Sequence, residues 1–193
     1  VATAASGLAV STIDRANGEL TVHLRVSALD DASAAHLHMG FAGGGGGVLV
    51  GLSQNAQDAG HWLAERVTLE EATLDALLAG GSYFNVHSPA NPAGEIRGQV
   101  LPADTRLLSG TLAGMQSVPP VDIDAGGSVR VTVNERTGDV AVHARATGVD
   151  DATAAHLHIG FAGESGGVLV ALEQDAQDAG HWFAEDGNAG GMD

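Results

Sequence analysis

The chain has 193 residues, with 24 Asp and Glu against eight basic side chains, all of them Arg, no Cys, and a formal net charge of −16. That balance excludes a nucleic-acid partner and disfavours anionic membrane surfaces, while the lack of thiols excludes disulfides and thiolate metal sites. No run of about 18 apolar residues offers a membrane-spanning helix, no charged-then-apolar leader opens the sequence, as expected if one has been removed, and an acidic surface without Lys suits an extracellular medium whose counterions screen its self-repulsion.

In chain order, Leu8 to Ile13 and Glu19 to Ser27 read as a hairpin whose turn contains the Asn17-Gly18 signal for positive φ. Leu20, Val22, Leu24 and Val26 then share one face of a strand, and His23 falls on the opposite, solvent side. Ala34 to Gly40 alternates Ala35, Leu37 and Met39 with His36 and His38. The glycine run Gly43 to Gly47 has no Lys or Ser/Thr of a phosphate loop and reads as a plain connection. Val48 to Leu52 is a short apolar strand, Gln54 to Gly60 a polar turn and His61 to Val67 another strand. Thr68 with Glu71 is a capping-box pattern that opens a short helix through Leu74, Leu77 and Leu78, closed at Gly80-Gly81. Ser82 to His87 and Glu95 to Leu101 form a second hairpin around the turn Ser88 to Gly94.

Beyond this point the chain repeats itself. Arg106 to Gln116 is a strand broken by Pro119-Pro120, and from Val121 the sequence runs parallel to its own start at an offset of 120 residues. The stretch AAHLHMGFAGGGGGVLV at Ala34 to Val50 returns as AAHLHIGFAGESGGVLV at Ala154 to Val170; His23, His36, His38 and His61 return as His143, His156, His158 and His181, and His87 has no counterpart. Short strands with turn signals every 8 to 12 residues predict an all-β fold, antiparallel β-sandwiches of immunoglobulin or superoxide-dismutase type in tandem with one short helix. The expected domains are 1–104 and 105–193. The first starts without an opening strand equivalent to Leu107 to Pro120, and the second is incomplete, without an equivalent of the Tyr83 to Gln99 hairpin.

Two imidazoles at alternate positions of one strand lie about 7 Å apart at Cα, close enough to share an ion if a neighbouring strand supplies a third. His36, His38 and His87 are therefore the candidate ligands, with His61 as a fourth and His156 with His158 as the second-copy pair. An all-imidazole set favours copper or zinc. A His-x-His strand with a distant His is also how the sites of cupins and copper-zinc superoxide dismutases begin, a likeness of pattern. Calcium would fall to the acidic pairs Asp30-Asp31 and Asp150-Asp151, which do not have the alternating spacing of a calcium loop. Glu95 and Arg97, alternate on one strand, read as an ion pair that holds the hairpin. No Ser-His-Asp order, paired carboxylates or dinucleotide fingerprint points to an enzyme.

Four stretches, LSGTLAGMQSVPP at Leu108 to Pro120, AHLH at Ala35 to His38 with its glycine loop, YFNVH at Tyr83 to His87 and NPAGEIRGQ at Asn91 to Gln99, resemble the CHRD family, named after chordin. The resemblance implies a secreted or cell-surface β-sandwich, often in tandem, and supplies no reaction. The expected function is a structural or assembly module of a surface layer, matrix or filament, with self-association or contact between neighbouring repeats through β-edges. The alternatives are a copper or zinc protein or enzyme built on the His cluster, and a secreted ligand-binding module.

Overall fold

A computed structural model describes residues 1–188 of the chain. It divides into two compact units: Val1–Gly40 with Gly45–Pro102, and Phe41–Gly44 with the chain from Ala103 on. Both are antiparallel β structures of barrel- or sandwich-like form, with one short α-helix among the described residues.

The first unit contains β1 (Ser6–Asp14), β2 (Glu19–Ser27), β3 (Ala34–Met39), β4 (Val48–Asn55), β5 (Asp58–Thr68), α1 (Glu71–Leu78), β6 (Ser82–His87) and β7 (Ile96–Gln99). Its strands lie in the order β1-β2-β5-β4-β3-β6-β7. The β1–β2 register runs from Ser6 opposite Ser27 to Asp14 opposite Glu19. Asp14 fixes the turn by accepting the Ala16 N–H at 2.9 Å, and Gly18 takes the left-handed φ of 67° that a side chain would resist. Period-2 alternation then buries Leu20, Val22, Leu24 and Val26 and leaves His23 and Arg25 exposed. These residues pack with Leu37, Trp62, Phe84, Val86 and Leu77 of the helix into one core. The sheet curls enough for its end strands to meet: Thr3 donates to Glu95 at 2.6 Å, and a Cβ on Gly7 would sit 3.5 Å from Ile96 Cδ1.

Three local expectations are corrected. The polar turn expected over Gln54 to Gly60 is a tight connection, Ala56-Gln57, between strands that run on to Asn55 and resume at Asp58. Asn55 Oδ1 accepts the Gln57 N–H at 2.9 Å and Asp58 Oδ1 the Gly60 N–H at 3.1 Å, so the polar side chains serve the turn's backbone while both ladders continue. Thr68 does not cap the helix, because it still pairs with Glu19 in the β2–β5 ladder; the cap position is Glu70, without a side-chain bond. The strand expected over Arg106 to Gln116 ends at Ala113, and Gly114–Gln116 form a single 3-10 turn.

The second unit contains β8 (Thr105–Ala113), β9 (Gly126–Asn134), β10 (Asp139–Thr147), β11 (Ala155–His158), β12 (Val168–Asp175) and β13 (Asp178–Asn188), in the order β11-β12-β13-β10-β9-β8. β9 to β13 repeat β1 to β5. β8 has no equivalent in the first unit, and among the described residues nothing repeats α1, β6 or β7. Among the described residues one core cluster here is formed by Val131, Val140 and Val142, with Val129, Val133, Leu157 and Leu172 half-buried against it.

Candidate metal centre

Alternation along β3 sends Ala35 and Leu37 into the core and His36 and His38 to the outer face. β6 pairs with β3 so that Ala34 faces His87, His36 faces Asn85 and His38 faces Tyr83. Cross-strand partners share a face, which places Tyr83, Asn85 and His87 beside the two imidazoles of β3. His36, His38 and His87 each offer a ring nitrogen, and these three nitrogens all lie within 4.8 Å of one another, at half-buried positions. The three residues singled out by spacing therefore do converge.

Their hydrogen bonds set the tautomers, since a carbonyl oxygen only accepts. His38 donates Nδ1–H to the Gly46 carbonyl at 3.1 Å and His87 donates Nδ1–H to the Pro92 carbonyl at 3.0 Å, leaving a lone pair on each Nε2. His38 Nε2 is buried and has no hydrogen-bond partner. His36 Nδ1 stands 3.0 Å from His87 Nε2. Backbone carbonyls that anchor the far nitrogen are the usual outer shell of metal-bound imidazoles. Tyr83 stacks on His38 at 4.9 Å between centroids and 10° between planes, which fixes that ring further.

Tetrahedral zinc with Zn–N bonds near 2 Å spaces its ligand nitrogens by about 3.4 Å. The 3.0 Å contact and the 4.8 Å limit bracket that value, so small ring rotations close the site. His36 would shift its proton to Nε2 and ligate through Nδ1. Burial, then the neighbouring His87 and His38, lower the His36 pKa and keep the ring neutral, the form a metal needs. Three imidazoles suit zinc or copper and not the oxygen-seeking calcium, and they leave a coordination position open.

His61 does not join the group. It lies on β5, two strands from β3 in the sheet, about 10 Å at normal strand spacing. Its Nε2 meets His23 Nδ1 at 3.1 Å with the rings stacked, and Asn55 Nδ2 lies 3.4 Å from its Nδ1. His23 is thus exposed as expected, yet paired. In the second copy, His156 and His158 keep the edge-on arrangement of His36 and His38, 5.7 Å between centroids against 5.6 Å, and His158 repeats the loop contact with Gly166 at 3.0 Å. No third ligand stands beside them: among the described residues only the first copy's imidazoles form a group of three possible ligands. The acidic pairs Asp30-Asp31 and Asp150-Asp151 are exposed and form no such group.

The β6–β7 turn has its own scaffold. Glu95 accepts hydrogen bonds from Ser88 Oγ at 2.5 Å, Thr3 Oγ1 at 2.6 Å and Asn91 Nδ2 at 3.0 Å, which together hold its pKa low. The Arg97 guanidinium lies 3.3 Å over the Tyr83 ring and donates to Gln99. Glu95 serves the turn that presents the Pro92 carbonyl to His87, a role the alternation of Glu95 and Arg97 did not disclose.

A second constellation went unread in the sequence. His143 Nδ1 lies 3.0 Å from His181 Nε2, His181 Nδ1 lies 2.9 Å from Asp175, and His143 Nε2 lies 3.2 Å from Glu185. Both carboxylates have lowered pKa values, Asp175 first through its bond from His181 and Glu185 first through the neighbouring His143. His181 Nδ1 donates to Asp175, whereas His143 Nε2 is buried without a hydrogen-bond partner although Glu185 stands 3.2 Å away. The first copy has Asn55 where the second has Asp175. That one difference was the available signal.

A family model described as the CHRD domain matches residues 1–100 and again 108–190. No curated protein and no solved structure matches the chain.

Proposed function

The chain belongs to the CHRD-domain family, in two tandem copies, and from that premise we propose that it is an extracellular β-domain module that binds one zinc or copper(II) ion through His36, His38 and His87. CHRD domains occur in extracellular proteins, and no helix among the described residues is long and apolar enough to cross a membrane. The observation that carries the metal reading is the convergence of His36, His38 and His87, one ring nitrogen of each within 4.8 Å of the others, together with a buried His38 Nε2 that has no hydrogen-bond partner. A buried polar atom without a bond costs stability unless something satisfies it, and an ion does so here. Calorimetric titration of the full chain with zinc, and separately with copper(II), tests the reading. One tight equivalent that disappears in the His36→Ala/His38→Ala chain supports it, and heat unchanged by those substitutions rejects it.

A second reading, assembly through strand edges in a surface layer, matrix or filament, draws on the exposed apolar side chains of the edge strands, Leu8 and Val10 on β1 and Leu108 and Leu112 on β8. Unpaired edges with apolar side chains recruit further strands. Light scattering over a dilution series separates a regular assembly from a monomer.

A further inference from the structure

Each copy carries a cross-strand imidazole pair, His23 with His61 and His143 with His181, and the side chain at the end of β4 or β12 gives the two pairs opposite tautomers. In the first copy Asn55 Oδ1 accepts the Gln57 N–H at 2.9 Å, which turns its Nδ2 donor toward His61 Nδ1, 3.4 Å away. A donor at that place puts the His61 proton on Nε2, from which it is given to His23 Nδ1 at 3.1 Å, and the proton of His23 stays on its outer nitrogen, Nε2. In the second copy Asp175 Oδ1 accepts the Gln177 N–H at 2.9 Å, and its Oδ2 accepts from His181 Nδ1 at 2.9 Å. His181 Nε2 then holds a lone pair and accepts from His143 Nδ1 at 3.0 Å, which leaves His143 with a bare lone pair on Nε2.

That lone pair is buried and unsatisfied. His143 is 4% exposed, its Nε2 has no hydrogen-bond partner, and Glu185 Oε1 stands 3.2 Å from it. A lone pair facing a carboxylate is repulsive unless a cation lies between them. At this distance a proton on Nε2 would form a hydrogen bond if the oxygen lay on the N–H axis, so the oxygen lies off that axis. An ion bonded to both atoms at about 2.0–2.1 Å requires such an off-axis placement, since a tetrahedral angle at the ion sets its two donors about 3.4 Å apart. The other nitrogen of His143 is anchored through His181 on a carboxylate, the outer shell typical of metal-bound imidazoles, and Phe183 stacks on the ring at 5.9 Å and 9°. The cations across the ladders are engaged elsewhere: Arg145 pairs with Asp178, and Arg130 donates to the Val129 carbonyl at 3.2 Å. We infer that His143 Nε2 and the Glu185 carboxylate form a second site for zinc or copper(II), oriented by the His181–Asp175 relay and open to solvent at its remaining positions. One imidazole and one carboxylate suit these ions, and the Glu185 side chain, 44% exposed, gives the ion its way in. The site shares no residue with His36, His38 and His87 and does not rest on the reading of that centre.

The test uses the full chain with His36→Ala, His38→Ala, His156→Ala and His158→Ala, so that neither strand pair of imidazoles competes, and zinc alone as the probe. Calorimetry should find one equivalent, bound more weakly than by a three-imidazole centre because two protein atoms hold it. Adding Glu185→Gln, an exposed and conservative change that spares the fold, should weaken binding by about tenfold or more. Asp175→Asn, which reverses the relay to the first copy's direction, should weaken it by about tenfold as well. In the ring nitrogen spectrum the His143 Nε2 signal should move on zinc addition while those of His23 and His61 stay in place. No bound zinc, an affinity that survives Glu185→Gln or Asp175→Asn, or a His143 ring protonated on both nitrogens at neutral pH that takes up no zinc would overturn the inference. Zinc titration of the unsubstituted chain reports the first centre separately, so either site can fail without the other.

Discussion

His36 Nδ1 lies 3.0 Å from His87 Nε2 across the β3–β6 pair, although 51 residues separate them in the chain. The contact follows from one register, Ala34 opposite His87, which a slip of a single residue would turn to the other face. His87 is half-buried and at the end of its strand, so His87→Ala should leave the fold nearly intact, with a change in unfolding free energy within about 1 kcal/mol. Zinc affinity should fall by about a hundredfold or more, because a ligand is lost outright. Calorimetry beside urea unfolding of the same variant separates the two effects.

Glu95 acts at one remove. Its carboxylate holds Ser88, Asn91 and Thr3, and the turn so held supplies the Pro92 carbonyl that orients His87. Glu95→Ala should weaken zinc binding by about tenfold, with Glu95→Gln retaining part of the affinity because it still accepts hydrogen bonds. A purely structural role would instead lower the unfolding midpoint while leaving the affinity of the folded chain unchanged.

The depressed pKa of His36 makes the metal-free chain lose stability on mild acidification. Above the ordinary imidazole value of 6.5, the ring is neutral in both states and costs nothing. As pH falls through that value the unfolded chain takes up the proton first, so stability declines until the folded ring also titrates, and levels off below that point. His36→Asn should flatten this part of the urea midpoint against pH between about 7 and 5.

Asp175 and Glu185 act in a lower window. Both are held below their ordinary values of 3.8 and 4.5, so their contribution is complete above the ordinary carboxylate range and is lost as pH falls through their depressed values. Asp175→Asn recreates the first copy's Asn55 arrangement. It should reduce the acid sensitivity of the second unit and change the histidine nitrogen shifts of His143 and His181, with those of His23 and His61 unaffected. Equal shifts in both pairs would contradict a specific coupling of Asp175 to His181 and His143.

Strand positions were legible wherever one face is buried, because period 2 then fixes every side chain: Leu20 to Val26 and Ala35 to Leu37 sit as the alternation requires. The convergence of His36, His38 and His87 was legible for the same reason, as all three fall on the outward phase of neighbouring strands. His61 was misplaced because sequence shows phase but not strand order, and β4 comes between β5 and β3. Thr68 looked like a helix cap because its pattern is local, whereas the pairing with Glu19 that overrides it is not. The Asp175–His181–His143–Glu185 chain was invisible for a related reason: its four members come from three strands, and only the exchange of Asn55 for Asp175 between copies marked it.

The central claim is tested most directly by anomalous diffraction at the zinc edge from crystals of the chain grown with one equivalent of zinc. The expected result is one strong peak in the first unit, bonded to nitrogens of His36, His38 and His87 at about 2.0–2.1 Å, with a non-protein ligand in the remaining position. A peak bound by carboxylates elsewhere, or no peak between these three rings, would contradict it.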